Sequence, residues 1–169
     1  MILRVTQKLA RKIKVAPASC LDPDPEPYGD WTANLFVAAR RQYIIISNTR
    51  SLFTVLTFGR EITDKDEFIN RFLMVLELFL TRQRLEPIYF GRIAPASETI
   101  VFSKTGDKRV LGSMNDLVIE ARTAIAYRGR SLFDAAAGMN DMPMGMLKYH
   151  FPRKEFLALL EDDHIAGLV

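Results

Sequence analysis

The chain is poor in the residues that most chemistry uses: one cysteine, Cys20, two histidines, His150 and His164, and one tryptophan, Trp31. A lone cysteine permits no intrachain disulfide, which excludes a secreted disulfide scaffold and fits a reducing cytoplasm. Two histidines and one thiol are too few ligands for a structural zinc site, and they leave Ser/His/Asp or Cys/His schemes short of a base. His150, flanked by Tyr149 and Phe151, reads as a packed or surface histidine, and His164 lies near the C-terminus. Carboxylates alone, Asp30, Asp107, Asp116 and Glu120, form no spacing of a metal loop, so no metal or cofactor is expected. Long apolar runs are missing too. The most apolar stretch, Phe72–Leu80, contains Glu77 and falls far short of the ~20 residues a membrane span needs. Gln7, Lys8, Arg11 and Lys12 interrupt the apolar residues after Arg4, so neither a signal peptide nor a membrane partner is expected.

What is present is a globular composition, 49% hydrophobic and 25% charged over 169 residues, enough for a single domain with a substantial core. The net charge is only +3, yet Arg4, Lys8, Arg11, Lys12 and Lys14 crowd the first fifteen residues without an acid. That segment is a solvated helix face or a footprint for an anionic partner.

Ile2–Val5 reads as a short strand, followed from Thr6 by an amphipathic helix on which Leu9 and Ile13 share a face. Pro17, Pro23, Pro25 and Pro27, alternating with Asp22, Asp24 and Glu26, make Ala16–Gly29 an acidic surface loop. In Asp30–Asn48 an alternating run and the β-branched Tyr43–Ile46 predict two antiparallel strands joined near Ala39–Arg41. The joint lacks Asn-Gly or Asp-Gly, which leaves a tight hairpin and a longer or bulged connection equally open. Leu52–Phe58 predicts a third strand. Thr63 and Asp66 look like a capping pair for a long helix of about 21 residues that ends at Leu85–Pro87 and is apolar around most of its circumference. Ile88–Ile93 and Thr99–Ser103 are strand candidates. Ser113–Asp116 resembles a capping box before a helix ending at Gly129, Ser131 and Asp134 cap a short helix over Leu132–Gly138, and Pro152 opens a last one over Arg153–Asp163. The expected fold is α+β: one domain, a mainly antiparallel sheet of about five strands, a long buried helix, and a helical C-terminal third.

Two stretches carry the polar interest. In Lys104–Asp116, KTGDKRVLGSMND, the cations Lys104, Lys108 and Arg109 precede Ser113, Asn115 and Asp116 at an expected helix start, where backbone N–H groups hold a phosphate or carboxylate if they do not simply cap the helix. In the strand pair, Trp31, Asn34, Arg41 and Asn48 either line a pocket or serve the core, a lone tryptophan and buried amides being more often structural. Met139, Met142, Met144 and Met146 form an adaptable apolar patch, a gap filler or a homo-oligomer surface.

Together MILRVTQKL, DWTANLFVAARRQYIIISNT and KTGDKRVLGSMND resemble a family of uncharacterised bacterial proteins known only as a domain of unknown function, over nearly the whole chain. The resemblance implies a soluble bacterial protein and brings no activity, so no catalytic residue carries across. It draws attention to Asp30, Trp31, Asn34, Arg41, Asn48, Lys104, Ser113, Asn115 and Asp116. The functional expectation is a non-enzymatic binding or interaction module whose basic surface takes an anionic ligand, nucleic acid or protein. The alternative is a small hydrolase or nuclease-like enzyme with Asp30, Asn34, Lys104 and Asp116 in one cleft.

Overall fold

The structure, a computed structural model, describes the backbone of residues 1–166 and the side chains of residues 1–161, so the side chain of His164 lies outside the described residues. Strand β1 (Ile2–Val5) leads through Thr6 into helix α1 (Gln7–Lys12). The Thr6 hydroxyl accepts from the Leu9 amide at 3.5 Å, capping a helix whose last turn carries Arg11 and Lys12. The acidic loop follows and closes in a 3-10 turn, Pro27–Gly29. Strands β2 (Asp30–Ala38), β3 (Arg41–Asn48) and β4 (Thr54–Phe58) form an antiparallel meander.

The sheet order is β4-β3-β2-β1-β5, with β5 at Val101–Lys104. β1 runs parallel to both β2 and β5, so the sheet is mixed rather than mainly antiparallel. A helix separates β1 from β2 and carries the chain back, which is the connection that parallel neighbours require.

The β2–β3 joint is a tight turn. Ala38 pairs with Arg41, and the two residues between them, Ala39 and Arg40, have φ of 45° and 62°. Two positive φ values match the twist of a primed turn, and that demand overrides a cost of ~1–2 kcal/mol per non-glycine residue.

Helix α2 (Lys65–Arg82) has 18 residues, fewer than expected. Its cap sits one residue after the predicted pair: Asp64 accepts the amides of Asp66 and Glu67 at 2.9 Å each, and Glu67 Oε2 accepts the Thr63 amide at 2.6 Å. Nor is it buried all round. Phe68, Phe72, Leu76, Phe79 and Leu80 face the core, while Met74 and Leu78 are over half exposed.

The predicted strand over Ile88–Ile93 is instead helical: α3 (Glu86–Ile88), a π-helical turn (Tyr89–Ile93) and α4 (Ala94–Ala96). Pro87 and Pro95 stand at first-turn positions, where a missing N–H costs nothing, and Tyr89 and Ile93 bury one face at i,i+4.

Helix α5 (Lys108–Ala126) starts five residues before Ser113, which lies buried inside it. The Asp107 carboxylate accepts the Arg109 amide at 2.8 Å and so provides an earlier cap than the Ser113–Asp116 pattern suggested. Gly129, at φ +59°, ends the segment in the left-handed conformation that glycine favours. Helices α6 (Leu132–Asn140) and α7 (Pro152–Ala166) complete the fold, with Ser131 capping α6 through the Asp134 amide at 3.0 Å.

Aromatic rings join these layers. Trp31 meets Phe72 of α2 at 5.2 Å and Phe156 of α7 at 6.2 Å, and Phe53 stacks on Phe156 at 4.1 Å. The edge of β4 is closed by a side chain: the buried Asn140 amide donates to Thr54 O at 2.9 Å and accepts from Thr54 N at 2.7 Å. It replaces a missing strand and blunts an edge that would otherwise pair. Met139 and Met144 are buried and Met142 and Met146 partly so, filling gaps in the core.

Candidate functional site

The start of β2 and the start of α5 do meet in a hollow, about 540 Å³ in volume, bordered by Arg4, Asp30, Thr32, Asp107, Arg109 and Val110 among others. Its floor is an ion pair. Arg4 donates from Nε and Nη2 to the two Asp30 oxygens at 2.8 Å each, and both residues are buried. The remaining guanidinium donors hold the acidic loop, Nη1 to Leu21 O at 2.8 Å and Nη2 to Asp22 O at 3.1 Å. Burial alone would raise the Asp30 carboxyl, but the bonds from Arg4 and from the Asp24 amide at 3.1 Å bring it below the ordinary value. The hydrogen bond to Asp30 outweighs desolvation and raises Arg4. Above the pair, Arg109 bonds Asp107 at 3.0 Å and Arg50 donates to Asp24 O at 2.9 Å. The cations of this hollow are thus engaged internally, which makes it a structural joint.

Of the candidate site residues singled out in the sequence, Asp30 and Arg109 border this hollow and the others do not. Trp31 is fully buried and donates Nε1–H to Tyr28 O at 2.7 Å. Asn48 is fully buried, donates to Pro27 O at 2.8 Å and accepts from the Ser51 hydroxyl at 2.9 Å. Asn34 accepts from the Thr6 hydroxyl at 2.9 Å, tying β2 to the α1 cap. Lys104 borders a separate hollow beside α1, with Val5, Arg11 and Pro17. Lys108 and Arg109 are exposed in the first turn of α5, Ser113 is buried, and Asn115 and Asp116 are exposed on that helix further along. None of the hollows described places Asp30, Asn34, Lys104 and Asp116 together. His150 is exposed, with Nδ1 2.6 Å from Glu155.

Arg41 belongs to a different constellation. Where the β2–β3 turn meets the end of β4, Lys12, Arg40, Arg41, Arg60 and Arg71 line a hollow of about 650 Å³ with Gln42, Phe58 and a single acid, Glu61. Local structure explains each placement. The turn carries Arg40 and begins β3 with Arg41. Lys12, in the last turn of α1, donates to Gln42 Oε1 at 2.8 Å. The Gly59 amide donates to Gln42 O at 2.8 Å, and a Cβ at Gly59 would sit only 3.1 Å from Gln42 Cβ, so glycine allows the closure that presents Arg60. Arg71 arrives from α2 and reaches Glu61 at 4.0 Å. Among the described residues Arg40, Arg41 and Arg60 form no ion pair. Exposed, unpaired and adjacent, these cations destabilise one another, and a bound anion relieves that repulsion.

Arg60 and Arg71 were not expected at this site, because they lie in separate segments. The sequence signals were the basic N-terminal segment, which supplies Lys12, and the Arg-Arg pair at a predicted turn.

Among the described residues no helix is long and apolar enough to cross a membrane. Comparison with curated proteins and with solved structures finds no match. A family model does match, over residues 2–155, which spans the strands, the acidic loop and the basic hollow alike: the chain belongs to the family described as Domain of unknown function (DUF6933).

Proposed function

We propose that the chain is a non-enzymatic binding or interaction module whose basic surface takes an anionic ligand, nucleic acid or protein partner. One observation supports this above the others: five cations converge on one hollow with a single acid, and four of them lack any ion pair among the described residues, Lys12 bonding only the Gln42 amide oxygen. The hollow beside Asp30 offers no such surplus, since its cations already hold carboxylates or loop carbonyls. The backbone points the same way. Arg40 occupies a left-handed φ of 62°, where glycine or asparagine would be cheaper, and its charge lies at the rim of the hollow.

Titration of fluorescent mixed-sequence DNA and RNA tests the nucleic-acid form. With four phosphate contacts the affinity falls on the order of a hundredfold between 50 and 200 mM salt. Arg40→Glu/Arg41→Glu should abolish binding, whereas Lys108→Glu, at the start of α5, should leave it nearly intact. Absence of binding at low salt would remove the nucleic-acid form, and binding indifferent to Arg40 and Arg41 would remove this hollow as the site.

A further inference from the structure

Next to the basic hollow lies an apolar trough of about 230 Å³, set between β4, α2 and α6. Leu56, Val75, Phe79 and Phe133 contribute to it, and Met74 and Leu78 stand 57% and 52% exposed along it. On α2 the sequence Arg71, Met74, Leu78, Arg82 forms one stripe at helical spacing, with a cation at each end and sulfur and aliphatic carbon between. Arg82 lies over the Phe133 ring at 5.1 Å and pairs with no acid among the described residues. Phe58 and Arg71 line both the trough and the basic hollow, so the two are continuous.

We infer that this trough takes a short acidic, amphipathic segment of a protein partner, apolar side chains seated between α2 and α6 and carboxylates on Arg71, Arg82 and the adjoining hollow. The inference rests on the binding-module reading and names its partner class. Three other occupants fit less well. A small molecule confined to the trough has too little room, since ligand sites measure ~300–1,000 Å³. Nucleic acid satisfies the hollow but leaves Met74 and Leu78 facing water, because phosphates and sugars gain nothing from a flexible aliphatic stripe. A second copy docked two-fold on this face would bring Arg71 and Arg82 against the same cations, as a two-fold contact repeats its own surface. An acidic amphipathic segment is complementary to both features at once. Arg71 and Arg82 are eleven residues apart, ~16 Å along the helix, so a helical partner would carry its acids about three turns apart. Exposed methionine suits such a groove, because its flexible thioether adapts to different apolar side chains.

The test is selection of a display library of random peptides about 16 residues long against the full chain. Enrichment of peptides with apolar residues at i, i+3 or i+4 and i+7, bounded by Asp or Glu, is expected. Their synthetic forms should lose about tenfold in affinity on Met74→Ser/Leu78→Ser and again on Arg71→Gln/Arg82→Gln, the loss typical of an interface anchor. Circular dichroism and melting should be unchanged for the first pair, both side chains being over half exposed. Enrichment of basic peptides, or of none whose binding depends on Met74 and Leu78, overturns the inference. So does binding of phosphatidylglycerol vesicles, but not phosphatidylcholine ones, that requires Met74 and Leu78, since the stripe would then be a lipid contact. If Arg40→Glu/Arg41→Glu abolishes RNA binding while no peptide depends on the stripe, the binding-module reading stands and this inference alone falls.

Discussion

Asp30→Asn keeps the shape of a buried side chain and removes its charge, leaving buried Arg4 with one amide oxygen and one opposing NH2 in place of the carboxylate, beside loop carbonyls and weak hydroxyl and thiol partners. Breaking a buried pair on one side costs about 3–5 kcal/mol, since the other charge remains desolvated. For a domain of this size that lowers Tm by roughly 6–20 °C. The pH dependence carries its own sign. The Asp30 carboxyl is held below the ordinary value of about 3.9, so its contribution to stability is complete above that value and disappears as pH falls through the lower, folded one. Urea denaturation of wild type and Asp30→Asn should therefore show the widest gap near pH 7 and a narrowing one below about pH 4. Arg4→Met/Asp30→Leu removes both charges together and should lie nearer wild type than either single variant, because an apolar replacement carries no stranded ion. A cost under about 1 kcal/mol for Asp30→Asn at pH 7, or a gap that widens in acid, would refute the account of this pair.

Three further outcomes follow from single contacts. Asn140→Ala strands the buried N–H and C=O of Thr54 and should cost about 2–6 kcal/mol by urea denaturation, two orphaned groups at ~1–3 kcal/mol each. Gly106→Ala would place a Cβ 2.3 Å from Cys20 Sγ; it should destabilise by about 1–3 kcal/mol, and Cys20→Ala in the same chain should restore most of the loss in a thermal melt. Ala39→Asn/Arg40→Gly supplies the residues that the turn geometry favours and should stabilise by about 1–2 kcal/mol while weakening polyanion binding, so stability and affinity measured together must move in opposite directions.

The elements legible in the sequence are those whose local pattern and tertiary environment agree. The alternation from Asp30 and the β-branched run through Ile46 specify β2 and β3, and Ser131 with Asp134 marks α6, because each pattern is satisfied by near neighbours. Failures occur where two local patterns compete. Ile88–Ile93 is a short apolar run that fits strand and helix equally; the prolines at 87 and 95 decide for helix by sitting in first turns rather than by breaking one. Ser113 and Asp116 have the spacing of a capping box, but Asp107 reaches the helix first and leaves that spacing idle. The sheet's mixed order depends on β1, which lies parallel between β2 and β5, and the β1–β5 contact joins residues about a hundred positions apart that no local window encodes.

The site follows the same logic with an added difficulty, since charge has no periodicity to reveal it. A basic N-terminal segment and an Arg-Arg pair were visible, yet of the N-terminal cations Arg4 turns inward to a carboxylate and Lys12 alone reaches the basic hollow. Counting charges along a chain cannot separate these fates, because both side chains leave polar positions of short elements. What separates them is the partner across the sheet: β2 places Asp30 two residues from Thr32, the partner of Arg4, on the same face, while the opposite end of the same strand turns at Ala39 and Arg40, where no acid but Glu61 is near. A neutralised cation spends its interaction on folding, and an unneutralised one remains available for binding. The chain's modest surplus of three positive charges is therefore a poor guide to affinity, and the local surplus around Arg40 and Arg41 is the quantity that a salt titration would read.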